Sequence, residues 1–240
     1  MNWFRPHFNM IDYSKLPSPE VTLLLNAHAH NDSLQQFPLM KALHHGYTFI
    51  EADVHLIKGK LYAYHRRPFF PNKKRTLDQL YLKPLFDIFQ QRGGFIFPSD
   101  IDQQTLHLLI DVKTDPVRTY EVLEKELKPY VEMLTTYKNE QVLRNAVSIM
   151  ITGNRSLELL NSSPFRLACV DGRVEDLEQG YSTTLMPLVS ASYTKLFGWF
   201  SKYRKHINDQ EIQQLQDLIL RTQGKGKMLR LWNSPESKKI

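Results

Sequence analysis

The chain has 240 residues, 42% of them hydrophobic and 23% charged, which is the composition of a soluble globular protein able to bury one substantial core. Its single cysteine, Cys169, excludes an intrachain disulfide and a cysteine-based metal site. The net charge of +6 favours anionic partners, but without zinc-finger spacing, an RNP-like signature or a long Lys/Arg block it does not point to nucleic acid.

Residues 1–20 are mixed in character and contain proline, with no signal-peptide hydrophobic stretch, and read as an extension of one domain covering 1–240. No run approaches the roughly 18 apolar residues that span a bilayer. "VTLLLNA" (21–27) predicts a strand, and "FPLMKALHHG" (37–46) a short helix stopped by Gly46. "YTFIEADVHLI" (47–57) predicts a second strand, whose alternation sends Glu51, Asp53 and His55 to one face. "KGK" then turns the chain into a hairpin partner, "LYAYH" (61–65). Residues 76–92 predict a helix that Pro84 kinks or divides. "TLHLLIDVK" (105–113) predicts a strand, and 115–134 a helix with Pro116 near its start.

In the second half, 146–152, 165–171, 183–191 and 227–232 predict strands, with helices near 154–161 and 209–222. Strands alternating with helices imply a parallel sheet, and seven strands follow once the hairpin partner is set aside. The expectation is a TIM-type (β/α) barrel that lacks or replaces its eighth strand. After Trp232 only "NSPESKKI" remains, so a partner subunit or the N-terminal "FNMIDYSKL" is expected to cover the gap, unless the natural protein is longer. A Rossmann arrangement is disfavoured because no G-x-G-x-x-G follows a strand.

"NAHAHND" (26–32) places His28, His30 and Asp32 where the first strand ends, a pattern that a metal cage, a proton relay or a polar loop would each explain. Chemistry in a parallel barrel gathers where strands stop. Here the strand ends carry His28 and His30, Glu51 and Asp53, His65, Asp111 and Lys113, and Trp232. Glu51, Asp53 and Asp111 supply hard oxygens suited to Mg²⁺ or Ca²⁺. Histidines with near-neutral pKa can serve as base and acid, and Lys113 can neutralise a phosphate oxygen. Singly, a Glu-x-Asp near a strand end is more often a solvated turn than a metal site, and a lone His65 more often a surface histidine; their falling together at successive strand ends points to a site. His44 and His45 at a helix end read as structural, His55 as a rim residue, and His107 as lying at the wrong end of its strand.

"HAHND", "IEADVHLIKGKLYAYH" and "LIDVK" resemble the glycerophosphodiester phosphodiesterase superfamily of TIM barrels, most closely the branch that includes the altered inheritance of mitochondria protein 6 type. "RTLDQLYLKPL" looks like that branch's stretch after the hairpin, and spider-venom sphingomyelinase D proteins share the spacing. The resemblance covers roughly 22–235 and is diffuse after residue 113. It implies a phosphoric diester hydrolase acting on a glycerophosphodiester or phospholipid. His30 and His65 would be its catalytic histidines. Glu51, Asp53 and Asp111 would hold one divalent cation, Mg²⁺ or Ca²⁺, while Lys113 and Trp232 face the substrate. By strand parity His28 shares the face of His30 and is expected to support it, or to take the catalytic place in its stead. His-Asn-Asp replaces the His-Arg-Gly common after the first strand, and Arg66 follows the second histidine in place of aspartate, which bears on the substrate more than on the reaction.

The alternatives are a non-catalytic barrel that binds phosphodiesters or lipid, and an amidohydrolase-type metal hydrolase built on "HAH". The latter wants histidines on later strands, and after His107 only His206 follows. Two aromatic–basic stretches, "HRRPFFPNKKR" (65–75) and "KLFGWFSKYRKH" (195–206), are compatible with a lipid interface. Barrel loops often cover the core in this way, so their aromatics are expected to pack into the domain.

Overall fold

A computed structural model describes residues 12–18, 21–97, 104–203 and 208–234. Its strands and helices run in the order β1 (Leu24–Ala29), α1 (Met40–His44), β2 (Tyr47–Ile57), β3 (Lys60–Ala63), α2 (Lys83–Gln91), β4 (Leu106–Val112) and α3 (Pro116–Leu127). They continue through β5 (Thr136–Lys138), β6 (Gln141–Leu143), β7 (Val147–Gly153), α4 (Leu157–Ser162), β8 (Phe165–Arg166) and β9 (Ala168–Arg173). The last are β10 (Leu188–Ser192), α5 (Tyr193–Phe197), α6 (Asp209–Gly224) and β11 (Met228–Trp232).

Seven strands pair in parallel in the order β1-β2-β4-β7-β9-β10-β11, and β3 folds back antiparallel on β2. The β2–β3 hairpin turns on Lys58 (φ 49°) and Gly59 (φ 76°), the twisted two-residue turn that matches strand twist. The sheet is curled. In a flat sheet β2 and β11, five strand spacings apart, would lie ~24 Å from each other. Instead the Arg230 guanidinium on β11 touches the Glu51 carboxylate on β2 at 2.7 Å. The result is an α/β half-barrel. Among the described residues no strand pairs with the outer edge of β1 or of β11. Of the suggested gap cover, residues 8–11 and 235–240 lie outside the described residues, and Tyr13 stacks on Phe37 and meets His44 edge-on beside α1.

Alternation along each strand sorts side chains between two faces. Ile50, Ala52 and Val54 of β2, Leu108 and Ile110 of β4, and Ile149 and Ile151 of β7 join the helix-covered core with Leu85 of α2 and Leu123 of α3. The intervening residues point inside the curl. Strand register places Leu109 beside Met150 and Met150 beside Cys169, and these three form a separate apolar cluster with Leu188 and Tyr137. Towards the strands' C-terminal ends the same face becomes charged, with Asp53 paired to Asp111 and Ser190 paired to Arg230. The inside of the half-barrel is therefore an apolar plug below and a polar mouth above.

Local signals explain most boundaries. Asp115 caps α3 by accepting the Arg118 N–H at 2.8 Å, with Pro116 in the first turn, while Asn208 and Glu211 cap α6 reciprocally. Pro84 divides the expected 76–92 helix: a wide helical turn at Asp78–Leu82 precedes α2, which begins at Lys83. The expected 115–134 helix tightens into a 3₁₀ segment from Lys128, one residue before Pro129. The expected 183–191 strand begins only at Leu188, after Pro187, and 165–171 is split between β8 and β9. β5, β6 and β8 form a small antiparallel sheet that the apolar patterning did not announce.

Candidate functional site

Glu51 and Asp53 sit two residues apart on β2, and Asp111 on β4 lies directly opposite Asp53. One carboxylate oxygen from each falls within 4.8 Å of the others. Among the described residues this is the one group of acidic, histidine or cysteine side chains close enough to share an ion, and it contains no histidine. An all-oxygen set suits a hard cation such as Mg²⁺ or Ca²⁺. Amidohydrolase-type ligation would need histidines in the cluster; His107 lies at the other end of β4, and His206 lies outside the described residues.

Two protein cations already touch these acids. The Lys113 ammonium is 2.8 Å from Asp53 Oδ1 and 2.5 Å from Asp111 Oδ2. Burial pulls the Lys113 pKa down, but the hydrogen bonds and negative charges of Asp111 and Asp53 together hold it above the usual lysine value. Arg230 donates to Glu51 Oε2 at 2.7 Å, and its other terminal nitrogen stands 3.6 Å from Asp171 on β9. Sequence reading did not anticipate Arg230 or Asp171. Asp171 also accepts from the Ser190 hydroxyl at 2.8 Å, and burial pushes its pKa up to about 6. Gly153 was missed too: a Cβ there would lie 2.1 Å from Asp111 Oδ1, so glycine leaves the space that carboxylate occupies. Its φ of +70° favours glycine independently.

The histidines flank the acids. His30 Nε2 is 3.4 Å from Glu51 Oε1, and His65 Nδ1 is 3.3 Å from Asp53 Oδ1. Half of the His30 side chain and two-fifths of His65 remain exposed, so a bound molecule can reach both. His28 lies beneath His30, 3.4 Å from Glu51 Oε2, without forming a hydrogen bond. Burial first, then the charges of Arg230 and His30, press its pKa down to about 2, so His28 is a neutral packing group at ordinary pH. His55 is not on the rim: it is buried, and burial lowers its pKa. Trp232 ends β11 two residues after Arg230, on the same strand face, and is 37% exposed. Behind the site Asp32 is buried, accepting the Leu39 N–H at 2.6 Å and the Tyr81 hydroxyl at 2.9 Å.

His107 stacks on Phe49 at 4.3 Å and lines a cavity of about 750 Å³ at the strands' N-terminal ends. That cavity lies below the apolar plug and holds none of the clustered acids. The chemistry-bearing side chains are all at the opposite end. The expectation that the aromatic–basic stretches pack into the domain fails at three positions. Phe69 is 98% exposed, Phe70 is 94% exposed and Trp199 is 61% exposed. The loop carrying the first two is bounded by Pro68 and Pro71 and projects beyond the core; residues 204–207 and the Phe200 side chain of the second stretch lie outside the described residues.

The sequence profile of the AIM6-like phosphodiesterase domain matches residues 20–168. Altered inheritance of mitochondria protein 6 homolog from Arthroderma benhamiae is 28% identical, over 87% of this chain and 72% of its own length. Altered inheritance of mitochondria protein 6 from Kluyveromyces lactis is 26% identical, over 90% of this chain and 65% of its own. Its counterpart in Lachancea thermotolerans is 30% identical, over 74% of this chain and 47% of its own. The chain thus spans from about half to under three-quarters of the length of these relatives. No solved structure matches it. The profile match contains every clustered acid and histidine but stops before Arg230 and Trp232.

Proposed function

Because this chain belongs to the AIM6-like phosphodiesterase domain family, we propose that the polar mouth of its half-barrel hydrolyses a phosphodiester. One observation carries the proposal: Glu51, Asp53 and Asp111 converge within 4.8 Å, with His30 and His65 on two of them. Three converging carboxylates, each offering an oxygen, fit a hard divalent cation, which when bound would supply positive charge to a non-bridging phosphate oxygen. The side chains do the rest. One of His30 and His65 takes the proton of the attacking hydroxyl, whether water or a neighbouring group of the substrate, and the other protonates the departing oxygen. Lys113 adds positive charge beside the reacting phosphate, Trp232 walls the mouth, and His28 stays neutral and supports His30. The substrate class is a glycerophosphodiester or a phospholipid, and the half-barrel is a TIM-type barrel left open at one side.

A second reading has its own observation. Lys113 and Arg230 already contact all three acids, so the site is partly charge-compensated without any ion. In that reading the two protein cations hold the phosphate directly. A chromogenic phosphodiester assayed with stripped protein, with chelator, and with Mg²⁺ or Ca²⁺ restored separates the two. The first reading expects turnover only with cation, and a loss of about 10²–10⁴ in His30→Ala and in His65→Ala. Turnover indifferent to chelator favours the second. Binding of the diester without turnover under every condition would overturn both and leave a non-catalytic barrel.

A further inference from the structure

The loop that leaves β3 beside His65 has a construction the catalytic reading does not use. Its base is pinned. Tyr62 and Thr76 form an antiparallel bridge across it, and the Tyr64 hydroxyl accepts the Asn72 N–H at 3.0 Å. Arg75 lies over the Tyr64 ring, 4.9 Å from its centre, and donates to the carbonyls of Ser33 and Ala63. The tip of this anchored loop is Phe69 and Phe70, 98% and 94% exposed. Two adjacent phenylalanines left in water forgo a large hydrophobic gain. Arg66 and Arg67 precede them and Lys73 and Lys74 follow, all four exposed, and among the described residues none is paired with a carboxylate. Pro68 and Pro71 flank the rings and contribute no N–H, which lowers the cost of taking the tip out of water. The loop leaves the same end of the sheet as the acids, where Trp199 and Trp232 are also exposed.

We infer that this loop docks the half-barrel on an anionic phospholipid bilayer, Phe69 and Phe70 entering the interface while Arg66, Arg67, Lys73 and Lys74 meet the lipid headgroups. A bilayer fits better than a protein groove because the apolar tip is ringed by cations on both sides, the charge pattern of interfacial anchors. Docking in this orientation sets His65 against the membrane surface. Combined with the proposed reaction, on which this last step rests, it makes the substrate a phospholipid diester taken from the bilayer.

The test uses the whole chain, with binding to lipid vesicles as its primary readout. Wild type should float with vesicles of 70% phosphatidylcholine and 30% phosphatidylserine, bind pure phosphatidylcholine more weakly, and release as salt is raised. The Phe69→Ala/Phe70→Ala pair should lower partition by about tenfold or more while leaving hydrolysis of a soluble diester unchanged. A Phe69→Cys variant carrying an environment-sensitive dye guards against misfolding, and labelling is selective because Cys169 is fully buried. Its emission should shift to the blue on phosphatidylserine vesicles. Failure of wild type to bind either vesicle would overturn the inference and leave the loop to a protein partner. Equal binding by wild type and the double alanine variant, or an unshifted dye, would overturn it as well. Flotation by a catalytically silent chain would instead count against the proposed reaction and leave docking standing.

Discussion

Replacing Arg230 with methionine tests the curl of the sheet and the electrostatics of the site together. Methionine keeps much of the apolar stem and removes the guanidinium, so packing is largely spared. The side chains that lose a partner are Glu51, 3% exposed, and Asp171, 1% exposed, with Arg230 itself 12% exposed. Removing one member of a fully buried ion pair costs about 3–5 kcal/mol, and the residual exposure of Arg230 places this case near 3 kcal/mol. For a chain of this length that is a fall of about 6 °C in Tm. Thermal unfolding and urea titration at neutral pH and low salt are the assays. Two controls make the reasoning specific. Glu51→Gln introduced into the Arg230→Met background should restore part of the loss, with a coupling of about 2 kcal/mol between the two positions. Saturating Mg²⁺ or Ca²⁺ should also stabilise the variant more than the wild type, because a cation would compensate the carboxylate that Arg230 left. Additive effects, with coupling below about 0.5 kcal/mol, would show that Arg230 does not latch β11 to β2.

Gly153→Ala should weaken Mg²⁺ or Ca²⁺ binding in a calorimetric titration, since the new methyl group lies 2.1 Å from Asp111 Oδ1, and should cost about 1–2 kcal/mol in stability from its positive φ alone. Asp171, raised from 3.8 to about 6 by burial, contributes stability that is complete below pH 3.8 and is lost as pH rises through about 6. Asp171→Asn should therefore lack a fall of roughly 3 kcal/mol over that window, seen as a flatter dependence of the urea midpoint on pH; parallel profiles would refute the assignment. Asp32→Ala strands the Leu39 N–H and the Tyr81 hydroxyl, and a loss under about 1 kcal/mol would contradict an expected 2–4 kcal/mol in urea unfolding.

How much of this was legible beforehand depends on how far each signal travels along the chain. The bounds of β2 match the predicted strand because an unbroken apolar alternation ends at Lys58 and Gly59, which turn the chain. The acids at strand ends are equally local, since Glu51 and Asp53 share a face by parity and Asp111 ends the next parallel strand. Arg230 was invisible because its partner lies 179 residues earlier and is reached only after the sheet curls. His55 shows the opposite failure: parity placed it on the correct face, but the β3 hairpin that pairs it with Tyr62 also buries it. Gly153 fell between the predicted strand at 146–152 and the helix near 154–161, and nothing in a sequence states how much room the Asp111 carboxylate on the neighbouring strand requires. Phe69 and Phe70 could not be assigned inside or out by composition, since an aromatic–basic run describes a covering loop and a projecting one equally well.

Glu51, Asp53, His65, Asp111 and Lys113 all come from one stretch, β2 through the end of β4, and the pairing of Asp53 with Asp111 is set by backbone register. Within that stretch the spacing of Glu51, Asp53 and Asp111 is fixed by the ladder of peptide hydrogen bonds, while His65 follows β3 in the loop. The rim loop that follows β10 lies outside this stretch, so it can change in length or sequence without altering the spacing of the paired acids. Under the proposed reaction the acids and the β10 rim would then be separable parts, and exchanging the β10 loop on an unchanged β2–β4 unit is the engineering route that follows.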